Sequence, residues 1–378
     1  MPKVFNWQIN REMEYPYEAA PPQKQFGAVF DINKCIACQT CTMTCKTAWT
    51  SGRGQEYMLW NNVETKPYGG FPMGWDLNIL KILGPQTWQG STYTGKTIFE
   101  AAPQLGDGHA VTGWLPEAED WASPNLGEDE PFGQIDGGTY FTLPHPVWSF
   151  YLQRVCNHCS YPACLASCPR QAIYKRPEDG IVLVDQERCR GYRECVRACP
   201  FKKVMYNAAT RVSEKCIACF PRVEQGLQPY CTITCIGRIR INGWIHDPAN
   251  ADPENPTDFL IHTRKVALPL YPQFGLGVNI YYVPPIHVPP RYLEQMFGPG
   301  VEAAQTTYKQ VRDDPELLGV MLLFGSTDRW IEKFRVKGDR AYGYDAKGDE
   351  VANVPLKEPI FVRPLLDVER GVYRHNIT

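Results

Sequence analysis

Apolar positions along the 378 residues come in short runs broken by glycine, proline and charge. GAVFDINKC (27–35) predicts a strand that feeds a loop, and residues 1–34 as a whole read as an extended arm. In AIYKRPEDGIVLVDQER (172–188) two β-rich runs flank Pro177-Glu178-Asp179-Gly180, which predicts a hairpin. VPPIHVPP (283–290) predicts extended polyproline. Residues 291–325 have helical spacing, clearest in DDPELLGVMLLFG, and FRVKGDRAYGYDAKGDEV (334–351) predicts hairpin strands. Residues 46–140 lack such patterning and are rich in Gly, Pro and Trp, as in YGGFPMGW (68–75). The richest apolar run, VMLLFG (320–325), is far short of the roughly 18 residues of a membrane span. The first residues show no apolar signal-peptide core, so the chain is expected neither to cross a membrane nor to export itself.

Charge changes the picture locally. The net charge of −2 gives no global pull on nucleic acid or membrane. Residues 101–140 carry eight acidic side chains and no Lys or Arg, which suits a solvated face or a partner contact. Residues 170–240 are the reverse, with 14 basic against 7 acidic side chains.

All 15 cysteines fall into four tight groups. These are Cys35, Cys38, Cys41 and Cys45; Cys156, Cys159, Cys164 and Cys168; Cys189, Cys195 and Cys199; and Cys216, Cys219, Cys231 and Cys235. Tyr192 stands where the third group would have its second cysteine. Disulfides disfavour cysteines with only two residues between them, because so small a loop is strained. Structural zinc prefers paired Cys-x2-Cys knuckles, and only the fourth group could pass as one. The first group, C-x2-C-x2-C-x3-C, matches the bacterial iron–sulfur run. Thiolate-bound clusters are anions, so the basic stretch, with Arg188, Arg190, Arg193 and Arg197 around the third group, suits them. RNA binding would call instead for aromatics interleaved on a sheet.

Groups two and three, with the hairpin between them and Cys-Pro closing each, form an internal repeat. Groups one and four lack that proline and read as a second, diverged pair around the first. In such repeats the fourth cysteine of a run ligates the other cluster. The expected sets are Cys35, Cys38, Cys41 and Cys235; Cys216, Cys219, Cys231 and Cys45; and Cys156, Cys159, Cys164 and Cys199, each with a [4Fe–4S] cluster. Cys189, Cys195 and Cys168 make a three-thiolate site. A phenol is a hard, high-pKa ligand, so Tyr192 is expected to leave that site as [3Fe–4S] and to fill the vacated corner against solvent; a tyrosine- or water-capped [4Fe–4S] is the alternative.

Other residues add less. The histidines at 109, 145, 158, 246, 262, 287 and 375 show no metal-ligand pairing. His158, inside the second loop, is expected to give a ring N–H to a cluster sulfur or a carbonyl. Trp49 and Trp60 are expected to shield the first cluster. No catalytic serine motif, P-loop or carboxylate pair is present, so substrate chemistry belongs on another chain.

Four cysteine groups with one aromatic replacement resemble the iron–sulfur beta subunits of the dimethyl-sulfoxide-reductase superfamily of molybdenum enzymes. CNHCSYPACLASCP, CRGYRECV and KCIACFPR point to the branch with nitrate, chlorate and selenate reductases, nitrite oxidoreductase and ethylbenzene dehydrogenase. The runs VFNWQINREMEYPYE, GQEYMLWNNVETKPYGG, VALPLYPQFG, YYVPP and YLEQMFGPGV look most like nitrite oxidoreductase beta subunits. The resemblance implies a molybdenum–bis-pterin alpha subunit and a haem-b gamma subunit as partners, with the [3Fe–4S] site near the haem. It also implies export in folded form with alpha, the cytoplasmic face of the membrane being the alternative. A stand-alone polyferredoxin is the reading from another class.

The resulting expectation is an α+β fold of two interleaved ferredoxin-like double-cluster modules, with a long insertion and a C-terminal extension. Its parts are an arm and first cluster loop (1–50), an insertion suited to partner contact (51–140), an inner module (141–204), the fourth loop completing the outer module (205–260) and the extension (261–378).

Overall fold

Phe26–Asp31 is buried along its whole length, so both of its faces need cover. It lies at the centre of a four-stranded sheet, antiparallel to Arg240–Trp244 and parallel to Ile280–Val283; Leu268–Pro269 completes the outer edge. The computed structural model describes residues 2–17, 21–67, 74–105, 109–117, 148–357, 366–367 and 371–373. Strand side chains alternate between faces. Phe26, Ala28, Phe30, Ile280 and Tyr282 join one apolar cluster, which also packs against Cys159, Cys199 and Cys216. Val29, Ile241, Tyr281 and Val283 join another, with Leu317, Val320, Met321 and Phe334. The sheet therefore lies between the cysteine loops and the helix Pro315–Leu323, while Leu293, Met296, Phe297 and Val301 join the cluster on the cysteine side.

The C-terminal segment is woven into this sheet through Ile280–Val283, and the expected boundary at 260/261 falls inside one turn of π-helix, Phe259–Thr263. Helices Pro290–Phe297, Val301–Lys309 and Pro315–Leu323 follow, in accord with the helical spacing. Three strands, Lys333–Lys337, Arg340–Tyr344 and Glu350–Pro355, form an antiparallel sheet where a hairpin was predicted. VPPIHVPP is not one polyproline run: Val283 ends a strand, residues 286–288 turn, and Pro290 opens a helix, where its missing N–H costs nothing.

The first residues are likewise more than an arm. Lys3–Asn6 and Arg11–Glu14 pair as a hairpin that buries Ile9, Met13 and Tyr15. The predicted hairpin at 173–184 is present, pairing Ile173 with Val184.

The insertion packs inward where it is described. Trp75, Ile79, Leu83, Tyr93 and Phe99 lie in the main core. Asn62–Lys66 pairs antiparallel with Phe150–Arg154, the strand that leads into the second cysteine group. A buried ionic network locks this pair to the helix Trp75–Leu83. Lys66 Nζ lies 2.8 Å from Asp76 and 3.4 Å from Glu64, Arg154 lies 2.9 Å from Glu64, and Tyr271 O–H donates to Asp76 at 2.7 Å. The acidic stretch expected to face solvent or a partner lies largely outside the described residues, at 118–140. Among the described residues no helix is long and apolar enough to cross a membrane.

Candidate iron–sulfur centres

The cysteine loops share one backbone shape. The residue before the second ligand position is left-handed in all four: Ala37 at φ 54°, His158 at 43°, Gly191 at 67° and Ala218 at 53°. This turn aims backbone N–H groups at the first sulfur of a loop, as His158 N does to Cys156 Sγ at 3.5 Å and Ala218 N to Cys216 Sγ at 3.3 Å. A second left-handed turn lies three residues after the last cysteine of groups two, three and four, at Gln171, Lys202 and Arg238. Group four thus turns as the Cys-Pro groups do, although Ile236 replaces the proline. Group one differs, because its helix runs on to Trp49.

The last two cysteines of every group are four residues apart, so a helical turn stacks them on one side. In the helix Thr40–Trp49, Cys41 borders one cavity and Cys45 the next. Cys35, Cys38, Cys41 and Cys235 line the first cavity. Cys45, Cys216, Cys219 and Cys231 line the second. Cys156, Cys159, Cys164 and Cys199 line the third. Cys168, Cys189 and Cys195 form the fourth set: Ser213 N donates to Cys189 Sγ at 3.4 Å, Ser213 Oγ lies 3.4 Å from Cys195 Sγ, and the charge of Cys168 is felt at Cys195. All four cysteine sets expected from the repeat are therefore gathered in space.

The sets form a row. Cys231 interacts with Cys41 across the first junction. Cys156 borders both the second and the third cavity. Cys164 and Cys195 share one small buried cluster at the last.

The donor chemistry fits sulfur-bridged iron. Burial pushes the Cys45 thiol up to about 12 and those of Cys195 and Cys219 to about 11, and neighbouring thiolates push the same way. Bare thiolates are thus unfavourable here, and a bound metal offsets that cost. Buried donors without acceptors border the cavities: Trp60 Nε1, Asn61 Nδ2 and His158 Nε2 at the second, Arg240 Nε and Nη1 at the first. An anionic, sulfide-bearing group gives such donors an acceptor.

Three expectations change. Trp49 and Trp60 border the second cavity, not the first, because the helix ends one turn beyond Cys45. There the Trp49 indole N–H donates to Cys219 Sγ at 3.2 Å. Tyr192 does not fill a buried corner; it is 61% exposed. The backbone before it is held closely, an added Cβ on Gly191 lying 2.5 Å from Arg211 O. The arginines named around the third group are also peripheral: Arg188, Arg190 and Arg193 are exposed, and Arg197 pairs with Glu194 at 2.9 Å.

The buried cations near sulfur are others that the sequence did not single out: Lys202, Lys203, Lys215 and Arg240. Burial alone would lower Lys215, but Cys156, Cys164 and Cys216 hold it above its ordinary value. Burial lowers Lys203 to about 7. The only advance signal was the local basic excess.

His158 is 1% exposed and borders the second and third cavities. Its Nδ1 accepts from Val182 N at 3.1 Å, so the proton sits on Nε2, which has no protein partner. Burial pushes the imidazole well below its usual pKa and keeps it neutral.

Comparison with known proteins agrees with this geometry. Residues 147–244 match the family described as "4Fe-4S dicluster domain". The chain is 42% identical over 346 residues to the chlorate reductase beta subunit of Ideonella dechloratans, covering 82% of this chain and 99% of that one. It is 40% identical to the selenate reductase beta subunit of Thauera selenatis, with 82% and 99% covered. It is 38% identical to the respiratory nitrate reductase beta subunit of Haloferax mediterranei, with 76% and 86% covered. With four cysteine sets in a row and relatives aligned over most of its length, the chain belongs to the iron–sulfur beta subunits of the DMSO-reductase family of molybdenum enzymes.

Proposed function

We propose that this chain is the electron-transfer subunit of a nitrite oxidoreductase, conducting electrons between a molybdenum–bis-pterin alpha subunit and a haem-b gamma subunit. The carrying observation is the row of cysteine sets, whose first and last members each adjoin an exposed residue. Cys38 is exposed at one end, where Ile36 and Ile236 form an apolar rim at 64% and 66% exposure. Tyr192 is exposed at the other. These two surfaces are the docking places of alpha and gamma respectively in this reading.

Cys35, Cys38, Cys41 and Cys235 hold one [4Fe–4S] cluster; Cys45, Cys216, Cys219 and Cys231 a second; Cys156, Cys159, Cys164 and Cys199 a third. Cys168, Cys189 and Cys195 hold [3Fe–4S], with Tyr192 at the vacant ligand position. Two ferredoxin-like modules interleave through the shared fourth cysteines. When bound, the clusters supply one-electron centres. The chain's own groups fix their order, donate N–H bonds to sulfur and exclude water around the two central cavities. The complex travels folded to an extracytoplasmic compartment with alpha, a point that fractionation of cells decides.

Nitrite is chosen over chlorate, selenate and nitrate on the runs at 4–18, 54–70, 266–275, 281–285 and 292–301. The test uses the purified complex and follows cluster EPR and visible bleaching. Nitrite should reduce the clusters. Reoxidation of prereduced clusters by chlorate or selenate, with no response to nitrite, would reject the substrate while sparing the conduit. Elution of the chain alone, without molybdenum, would favour a stand-alone polyferredoxin.

A further inference from the structure

Arg240 opens the strand Arg240–Trp244, opposite Phe30. Its side chain is fully buried, and its guanidinium lies 4.5 Å above the Phe30 ring. Nη2 is 3.2 Å from Cys41 Sγ and 3.3 Å from Asn61 Oδ1. The same group lies in the field of Cys231 and Cys235. Cys41 and Cys235 belong to the first cavity and Cys231 to the second. The anionic groups that hold its charge are these cysteines, and Nε and Nη1 have no partner among the described residues. A guanidinium does not deprotonate in a protein, so this is a permanent cation sealed between two centres. Burying it without counter-charge is strongly unfavourable, so anionic clusters on both sides are its natural complement.

We propose that Arg240 is a positioning residue shared by the first two centres, a single fixed charge that raises the reduction potentials of both and leaves the other two centres unchanged. The inference rests on the cluster assignment above. Reduction adds negative charge to a cluster, and a nearby cation in a water-poor interior stabilises that added charge. Placed at the junction, one cation raises both potentials together, which keeps the step between them small in either direction of flow. A carboxylate-paired arginine could not do this, since the pair would be nearly neutral.

The experiment is an EPR-monitored redox titration of the full chain in its native complex, comparing wild type with Arg240→Gln, Arg240→Lys and Asn61→Asp. Asn61 is 1% exposed and accepts from Nη2, so the aspartate neutralises the cation with Arg240 still in place. Arg240→Gln and Asn61→Asp should move two of the four redox waves to lower potential and leave two in place. Arg240→Lys, which keeps the charge, should shift them less. If Arg240→Gln does not retain its clusters, Asn61→Asp decides the question. No shift, a shift in one wave only, or an equal shift in all four overturns the proposal. Absence of four waves in the wild type would instead overturn the cluster assignment.

Discussion

Tyr192 shows how one side chain can decide a site's composition while leaving its shape intact. The third loop keeps the left-handed turn of the other three, with Gly191 in the place of Ala37, His158 and Ala218. The backbone therefore delivers residue 192 to the second ligand position, and only the side chain is wrong for soft iron. In the proposed assignment, Tyr192→Cys should convert a three-iron centre toward four irons. EPR of the oxidised protein checks this, because the three-iron signal should fall; an unchanged signal would refute the assignment. The substitution was legible in the sequence because the frame around it was intact. The side chain's exposure was not, since local spacing carries no record of which face of a loop the rest of the fold leaves open.

Short helices are the elements that cross-link the centres. Thr40–Trp49, Ala163–Ala166, Glu194–Ala198 and Tyr230–Ile233 each carry or border two cysteines four residues apart that belong to different sets. The helices of groups one and four pack together, as do those of groups two and three. Cys235→Ser should therefore damage the centre of Cys35, Cys38 and Cys41 and spare that of its neighbours Cys216 and Cys219. Titration of individual EPR waves distinguishes the two, and loss confined to the neighbours would reject the crossed arrangement. The repeat, with the rule that a run's fourth cysteine serves the other cluster, led to this expectation, and the i, i+4 geometry of each helix accords with it. The similarity of group four to the Cys-Pro groups was hidden, since the turn at Arg238 forms without the proline.

For the whole molecule, the insertion and the C-terminal segment pack into the core that borders the row. Asp76 is the clearest place to test this. Burial alone would raise its carboxyl, yet Lys66 and Tyr271 hold it below its ordinary value. Asp76→Asn leaves Lys66 with one fewer buried counter-charge and should cost about 3–5 kcal/mol, read as a Tm several degrees lower. A depressed folded pKa gives stability that is complete above the unfolded value near 3.8 and is lost as pH falls through the lower folded value. The Tm gap between wild type and variant should thus hold steady from neutral pH to about pH 5 and narrow only in stronger acid. A gap that closes near pH 7 would assign the effect to another group.

The sequence by itself determined the four cysteine groups and the odd position at Tyr192, because ligand spacing acts over a few residues. It also marked the hairpin at 173–184 and the helices after 290 by local patterning. Only the tertiary structure decided which cation sits between which centres, which tryptophan meets which sulfur, and where the terminal segments go. Arg240 reaches Cys41 across 199 positions, and Phe26–Asp31 finds Ile280–Val283 across a longer span still. Such contacts follow from burying long-range apolar faces and compensating buried charge, and neither leaves a pattern in neighbouring residues.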